Sequence, residues 1–110
     1  MSHCTQGPTV LHASRHGFLV HCSCCNHFQL GFGTFHLKQS EEEFKSFVTL
    51  IERYGLRYFR RKDRKRRDIF IDTPYPGFGL LLSAEDLDRL NNILQMGLLV
   101  KTANLATRQQ

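Results

Sequence analysis

The stretch Phe18 to His36, FLVHCSCCNHFQLGFGTFH, holds three of the four cysteines and three of the six histidines in the chain. Cys22 and Cys25 form a C-x-x-C pair, with Cys24 between them and His21 and His27 on either side. Two thiolates at that spacing can grip a tetrahedral zinc ion if the turn holds a residue that accepts a left-handed backbone, and Asn26 is such a residue. One apolar run ends at Cys22 and another begins after His27, which predicts a knuckle at the tip of a β-hairpin. A structural zinc needs four ligands, and there is no second C-x-x-C to supply the rest. The candidate set is therefore Cys22, Cys25 and His27, with Cys24 and His21 as alternates. Cys4, His12, His16 or a second subunit are the more distant sources. The competing reading makes the cysteines small, reduced packing residues at a strand end.

A thioredoxin-like role uses the same spacing but places the first cysteine at a helix N-terminus, whose dipole lowers the thiol pKa. Strand-like residues follow here instead. Thiol and imidazole in one stretch would suit a nucleophile and its base, yet no third group is evident to orient them. The two Gly-Phe-Gly motifs lack the third glycine of a dinucleotide fingerprint and run into strand. Glu41, Glu42 and Glu43 read as acidic residues complementing a helix dipole. The expectation is a protein that binds rather than catalyses.

At 110 residues with 41% hydrophobic content, the chain fits one domain with a core of its own. It has no apolar run of roughly 18 residues and no early apolar segment after basic residues, so neither membrane spanning nor secretion is expected. The default compartment is cytoplasmic, where thiols stay reduced. The net charge of +5 is unevenly spread: eight Lys or Arg against Asp63 alone lie between Arg57 and Arg67, which leaves the rest of the chain mildly acidic. A hairpin over 57–67 carrying Arg60, Arg61, Lys62, Arg64, Lys65, Arg66 and Arg67, beside Tyr58 and Phe59, could neutralise phosphates and stack on bases. The alternative function is thus nucleic-acid backbone binding. The bland reading is a solvated hairpin tip whose charges protect strand edges.

The chain divides into an N-terminal arm over 1–15, a domain over 16–106 and a tail over 107–110. A short strand around Val10 and Leu11 closes the arm. Gly17 to Cys22 and His27 to Phe32 read as paired strands, and Thr34 to Lys38 continues as strand. Ser40 and Glu43 form a capping box, after which Phe44, Phe47, Val48, Ile51 and Tyr54 recur at helical spacing until Gly55. Leu56 to Arg60 and Asp68 to Asp72 read as strands around the basic turn. Thr73-Pro74-Tyr75-Pro76-Gly77 breaks the pattern, and Phe78 to Leu82 reads as a central strand. Ser83 caps a second helix with Asp86 three residues on, and the helix runs to about Ala106. Met96, Leu99 and Val100 widen its apolar side, which points to a homodimer.

Residues 31–51 and 77–94 align when a three-residue gap is placed before the second serine: both read Gly-Phe-Gly, strand, capped helix. The expected fold is α+β, an antiparallel sheet of five or six strands with two helices on one face, built as two ββα-like repeats. Cys22-x-x-Cys25, then Gln29-Leu30-Gly31-Phe32-Gly33, a capped helix, a basic hairpin and a second capped helix together resemble a family of small uncharacterised bacterial proteins. The resemblance runs from Gly17 onward. It implies a fold without an established activity, and makes Cys22 and Cys25 the positions of interest.

Overall fold

Among the described residues the chain forms six short β-strands and two helices. The computed structural model describes residues 7–73 and 76–108, with side chains through residue 104. Cys4, the start of the expected arm and the end of the tail lie outside the described residues. Strands β1 (Thr9–Ser14), β2 (Gly17–Cys22), β3 (His27–Phe32) and β4 (Phe35–Ser40) form an antiparallel sheet in chain order, each joined to the next by a tight turn. The strand foreseen near Val10 and Leu11 is β1; a register shift between Val10 and His12 accompanies burial of Leu11. At the β3–β4 turn Gly33 has φ +57°, a conformation open to glycine because it lacks a Cβ.

Alternation sorts the sheet into two faces. Leu19, Leu30 and Leu37 form one cross-strand row, and Phe28 and Phe32 flank it on the same face. Leu19, Leu30, Phe28 and Phe32 are buried there beneath the helices. The opposite face carries Phe18, Val20, Gln29, His36 and Lys38. Helix α1 (Glu41–Tyr58) packs on β3 and β4, and α2 (Ala84–Arg108) on β1 and β2, with the helices against each other. Both lie on one face, as the apolar stripes require.

The caps form as the sequence predicts. The Glu43 N–H donates to the Ser40 hydroxyl at 3.2 Å, and the Ser40 N–H donates to the Glu43 carboxylate at 2.8 Å. At α2 the Asp86 N–H donates to the Ser83 hydroxyl and the Ser83 N–H to Asp86 Oδ2, both at 3.0 Å. Burial alone would raise the Asp86 pKa, but bonds from the Ser83 backbone, the Arg67 guanidinium and the Ser83 hydroxyl overcome it and hold the carboxyl below its usual range. Because the folded state prefers the ionised carboxylate, this stabilisation is complete above the ordinary carboxylate pKa of about 4 and fades as pH falls through the lower folded value. Asp68 beside Arg61 and Glu41 beside Asn26 shift in the same direction. Urea unfolding between pH 7 and 3 should therefore show nearly level stability down to about pH 5 and a decline below about 4, shallower for Asp86→Asn.

Four expectations need correction. Helix α1 does not stop at Gly55; it runs to Tyr58, with Phe59 as a right-handed C-cap. A mid-helix glycine costs roughly 1 kcal/mol, but Tyr54 and Tyr58 stack at 6.3 Å and both pack on the core, which outweighs that cost. Residues 56–60 are consequently not a strand, and no basic hairpin forms over 57–67. Strand β5 (Ile69–Asp72) pairs instead with β6 (Gly79–Leu82), as a separate two-stranded sheet rather than an extension of the first. Strand β6 is not central: Leu80 and Leu82 are buried, while Leu81 is exposed.

The repeat is real in its grammar and unequal in its motif. Each helix follows an antiparallel hairpin and a serine cap, and Leu37 opposite Leu30 corresponds to Leu80 opposite Ile71, three residues before each serine. The Gly-Phe-Gly motifs are not equivalent. Gly31 and Phe32 close β3 ahead of its turn, whereas Gly77, at φ +74°, lies in the β5–β6 connection and Gly79 opens β6.

Candidate metal centre

The β2–β3 turn carries Cys22 through Asn26, and Asn26 adopts φ +51°, the left-handed conformation its position demands. Two further contacts hold the turn. The Asn26 side-chain amide donates to Glu41 Oε2 at 2.8 Å and its Oδ1 accepts from His21 Nε2 at 3.0 Å, tying the tip to the first turn of α1. Beneath it, Phe28 stacks on Phe44 with centroids 4.0 Å apart and meets the His21 ring at 4.4 Å. The knuckle is thus fastened to the core through its neighbours, while Cys22 belongs by alternation to the sheet face away from the helices.

The sulfur atoms of Cys22, Cys24 and Cys25 all lie within 4.8 Å of one another, with Cys22 and Cys24 at 3.4 Å. Cys22 is buried, Cys25 half-buried and Cys24 exposed. Cys22 and Cys25 are free thiols, whereas Cys24 is disulfide-bonded. The Cys25 thiol donates toward Cys22, and with the Cys25 and Cys24 backbone N–H groups and the charge of Lys38 it pulls the Cys22 pKa below the usual thiol value against the effect of burial. Cys25 moves up, because donating to Cys22, burial and repulsion from Cys22 all favour its protonated form. The turn therefore makes Cys22 the more acidic of the two free thiols.

Of the sequence candidates, the fold gathers the three local cysteines. His27 sits opposite Cys22 in the β2–β3 register, and its Nδ1–H donates to the Cys25 carbonyl at 2.8 Å, which leaves Nε2 without the proton in the neutral ring. His21 is committed to Asn26 and to Phe28. Neither histidine joins the sulfur cluster. His12 opposes Leu19 in mid-sheet, and His16 lies at the other end of β2, in the β1–β2 turn.

The basic segment has a different place from the one its composition suggested. It forms the connection from the end of α1 to β5, strapped across the start of α2. Arg64 donates to the Phe59 carbonyl at 2.8 Å and pairs with Asp88, while the Arg64 carbonyl accepts the Glu85 N–H at 2.9 Å. Arg67 pairs with Asp86 at 3.0 Å, and Arg61 and Arg66 both pair with Asp68. Sequence reading treated these arginines as one free patch because their acidic partners are as many as 24 residues distant. Arg57, Arg60, Lys62 and Lys65 make no ion pair among the described residues. Tyr58 packs against the core, while Phe59 is exposed under the Arg60 guanidinium.

A sequence-family model matches residues 4–109, a span that opens on Cys4. The chain belongs to DUF6686, a family of unknown function. No curated protein and no solved structure matches this DUF6686 chain. Among the described residues, no helix is long and apolar enough to cross a membrane.

Proposed function

We propose that this DUF6686 protein is a small cytoplasmic binding module whose β2–β3 knuckle holds a thiophilic metal ion, with zinc as the best match. The convergence of the Cys22, Cys24 and Cys25 sulfurs within 4.8 Å carries the reading. Soft thiolate donors select zinc over calcium or magnesium, and the N–H groups directed at Cys22 favour the deprotonated sulfur that a metal needs. A ligand sulfur must be a thiolate, so metal binding and the Cys24 disulfide exclude each other. Reduced protein is the form to test.

Elemental analysis of untagged protein, fully reduced and passed through chelator-free buffer with equimolar zinc, should find about one zinc per chain, or one per two chains if a partner shares the site. Cys22→Ser and Cys25→Ser should each abolish most of that binding. Absence of zinc, with thiols that titrate equally before and after zinc addition, would sink the proposal. Light scattering on the same sample reports the dimer expected from the exposed Met96 and Leu99 on α2.

The second reading is nucleic-acid binding by Arg57, Arg60, Lys62 and Lys65 around Phe59. The Arg60 guanidinium lying 5.3 Å from the centroid of that exposed ring favours it, since such a platform can stack on a base. Lys62→Glu with Lys65→Glu is the informative change, because Arg64 and Arg67 also anchor α2. Salt-dependent binding of a single-stranded oligonucleotide that this pair abolishes would favour the second reading, whereas binding unaffected by it would refute it.

A further inference from the structure

A tetrahedral site with three converging sulfurs needs a fourth donor on the same side of the turn. Cys22 pairs with His27 across β2 and β3, on the last rung before the knuckle. Both therefore project from one face of the sheet, the face turned away from the helices. Directly opposed Cβ atoms are about 4.5–5.5 Å apart, which an imidazole and a thiolate span when they share a zinc ion at about 2.0 and 2.3 Å. His21 belongs to the other face: it pairs with Phe28, its ring centroid lies 4.4 Å from that ring, and its Nε2 is bonded to Asn26. His12, opposite Leu19, and His36, opposite Gly31, lie farther along the sheet.

The ring chemistry agrees. The Cys25 carbonyl can only accept a hydrogen bond, so His27 Nδ1, 2.8 Å away, carries the proton and Nε2 keeps its lone pair in the neutral ring. Metal-bound histidines characteristically donate their other N–H to a carbonyl or carboxylate, and here that carbonyl belongs to one of the sulfur ligands.

We infer that His27 Nε2 is the fourth ligand, completing a tetrahedral centre with the sulfurs of Cys22, Cys24 and Cys25. The inference rests on the metal reading above and gives it a definite character. Nε2 stands outside the sulfur cluster, so binding turns the ring about its side-chain bonds toward Cys22. With all four positions taken by protein, none remains for water or substrate, and the centre is structural rather than catalytic. Three thiolates against one zinc ion leave it anionic, and Lys38, whose charge acts on Cys22 and Cys25, projects from the same face opposite Gln29. His27 opens β3 and precedes Phe28, so the metal fastens the strand end that Phe28 roots in the core.

The test uses the fully reduced full-length protein loaded with equimolar zinc. Zinc K-edge absorption should show three sulfurs at about 2.3 Å and one nitrogen at about 2.0 Å, with the outer-shell scattering of imidazole. His27→Gln should lose that scattering and weaken zinc, in competition with a chromophoric chelator, by at least about 10-fold, the smallest cost of disturbing even a ligand's supporting partner. His21→Gln should keep the imidazole scattering. Nitrogen NMR of the histidine side chains in the unaltered protein gives an answer independent of variant folding: zinc should shift His27 Nε2 while Nδ1 stays protonated. Four sulfurs, a light-atom neighbour without imidazole scattering, or imidazole scattering that survives in His27→Gln overturns this inference and leaves the metal reading standing. Failure of the unaltered reduced protein to bind zinc overturns both.

Discussion

Phe28→Ala should lower the unfolding free energy by about 3–5 kcal/mol, the cost of emptying a buried aromatic site. Phe28 is 1% exposed, and its ring is in contact on several sides. Phe44 stacks against it, nearly parallel, at 4.0 Å, His21 meets it at 4.4 Å, and the Lys101 ammonium lies 5.0 Å from its centroid. Removing the ring leaves a cavity at the junction of β2, β3, α1 and α2, between His21, Phe44 and Lys101. Domains of this size are stable by roughly 5–15 kcal/mol, so the variant approaches the edge of folding. A lower denaturation midpoint at unchanged m-value is the expected record. Phe18→Ala is the control: that ring is 39% exposed on the other face of the sheet and should cost much less. A loss of under 1 kcal/mol for Phe28→Ala would mean that the stacked pair is not the anchor of the hairpin. The knuckle depends on that anchor, since His27 and Phe28 form the first strand positions after it, so metal retention should fall with stability in the same variant.

The second large effect is expected from a single added methyl group. A Cβ on Gly17 would stand 2.1 Å from the carbonyl oxygen of Gly31 and 3.2 Å from Ile93 Cδ1. The first obstacle is backbone, so no side-chain rotation relieves it. To accept alanine, β2 and β3 must separate where Gly17 pairs with Phe32, and the Ile93 methyl must give by a few tenths of an ångström. Overpacking of this kind costs about 1–3 kcal/mol where side chains can adjust, and Gly17→Ala belongs at or beyond the upper end of that range. Gly55→Ala provides the contrast: that glycine lies within α1, meets nothing within 4 Å, and should gain up to about 1 kcal/mol from better helix propensity. Thermal unfolding of the two variants side by side should move the midpoint in opposite directions. An unchanged midpoint for Gly17→Ala would show that the two strands can part there at little cost.

Local chemistry was legible wherever a few neighbouring residues decide the outcome. Ser40 with Glu43, and Ser83 with Asp86, define both helix starts because each box closes within four residues. Asn26 marks the left-handed turn, and the alternation around Leu19 and Leu30 defines the first hairpin and its buried face. Helix ends and strand partners were harder. Gly55 looks like a stop by composition, but the stacking of Tyr58 on Tyr54 and its packing on the core carry α1 through it. Leu56 to Arg60 has residues that suit a strand, yet β5 finds a better partner in β6, whose Leu80 and Leu82 bury beside Ile69 and Ile71.

The same division holds for the site. Taken alone, the sequence determined that Cys22 and Cys25 flank a tight turn with Cys24 between them, because spacing and turn chemistry are local properties. Only the tertiary structure decided that the three sulfurs converge, and that His21 and His27 are held by Asn26 and the Cys25 carbonyl. It also decided that Arg61, Arg64, Arg66 and Arg67 pair with Asp68, Asp88 and Asp86 in place of forming one free patch. Several of these outcomes turn on residues far apart in the chain, whose meeting is set by burial of the two helices on one sheet and not by any local preference.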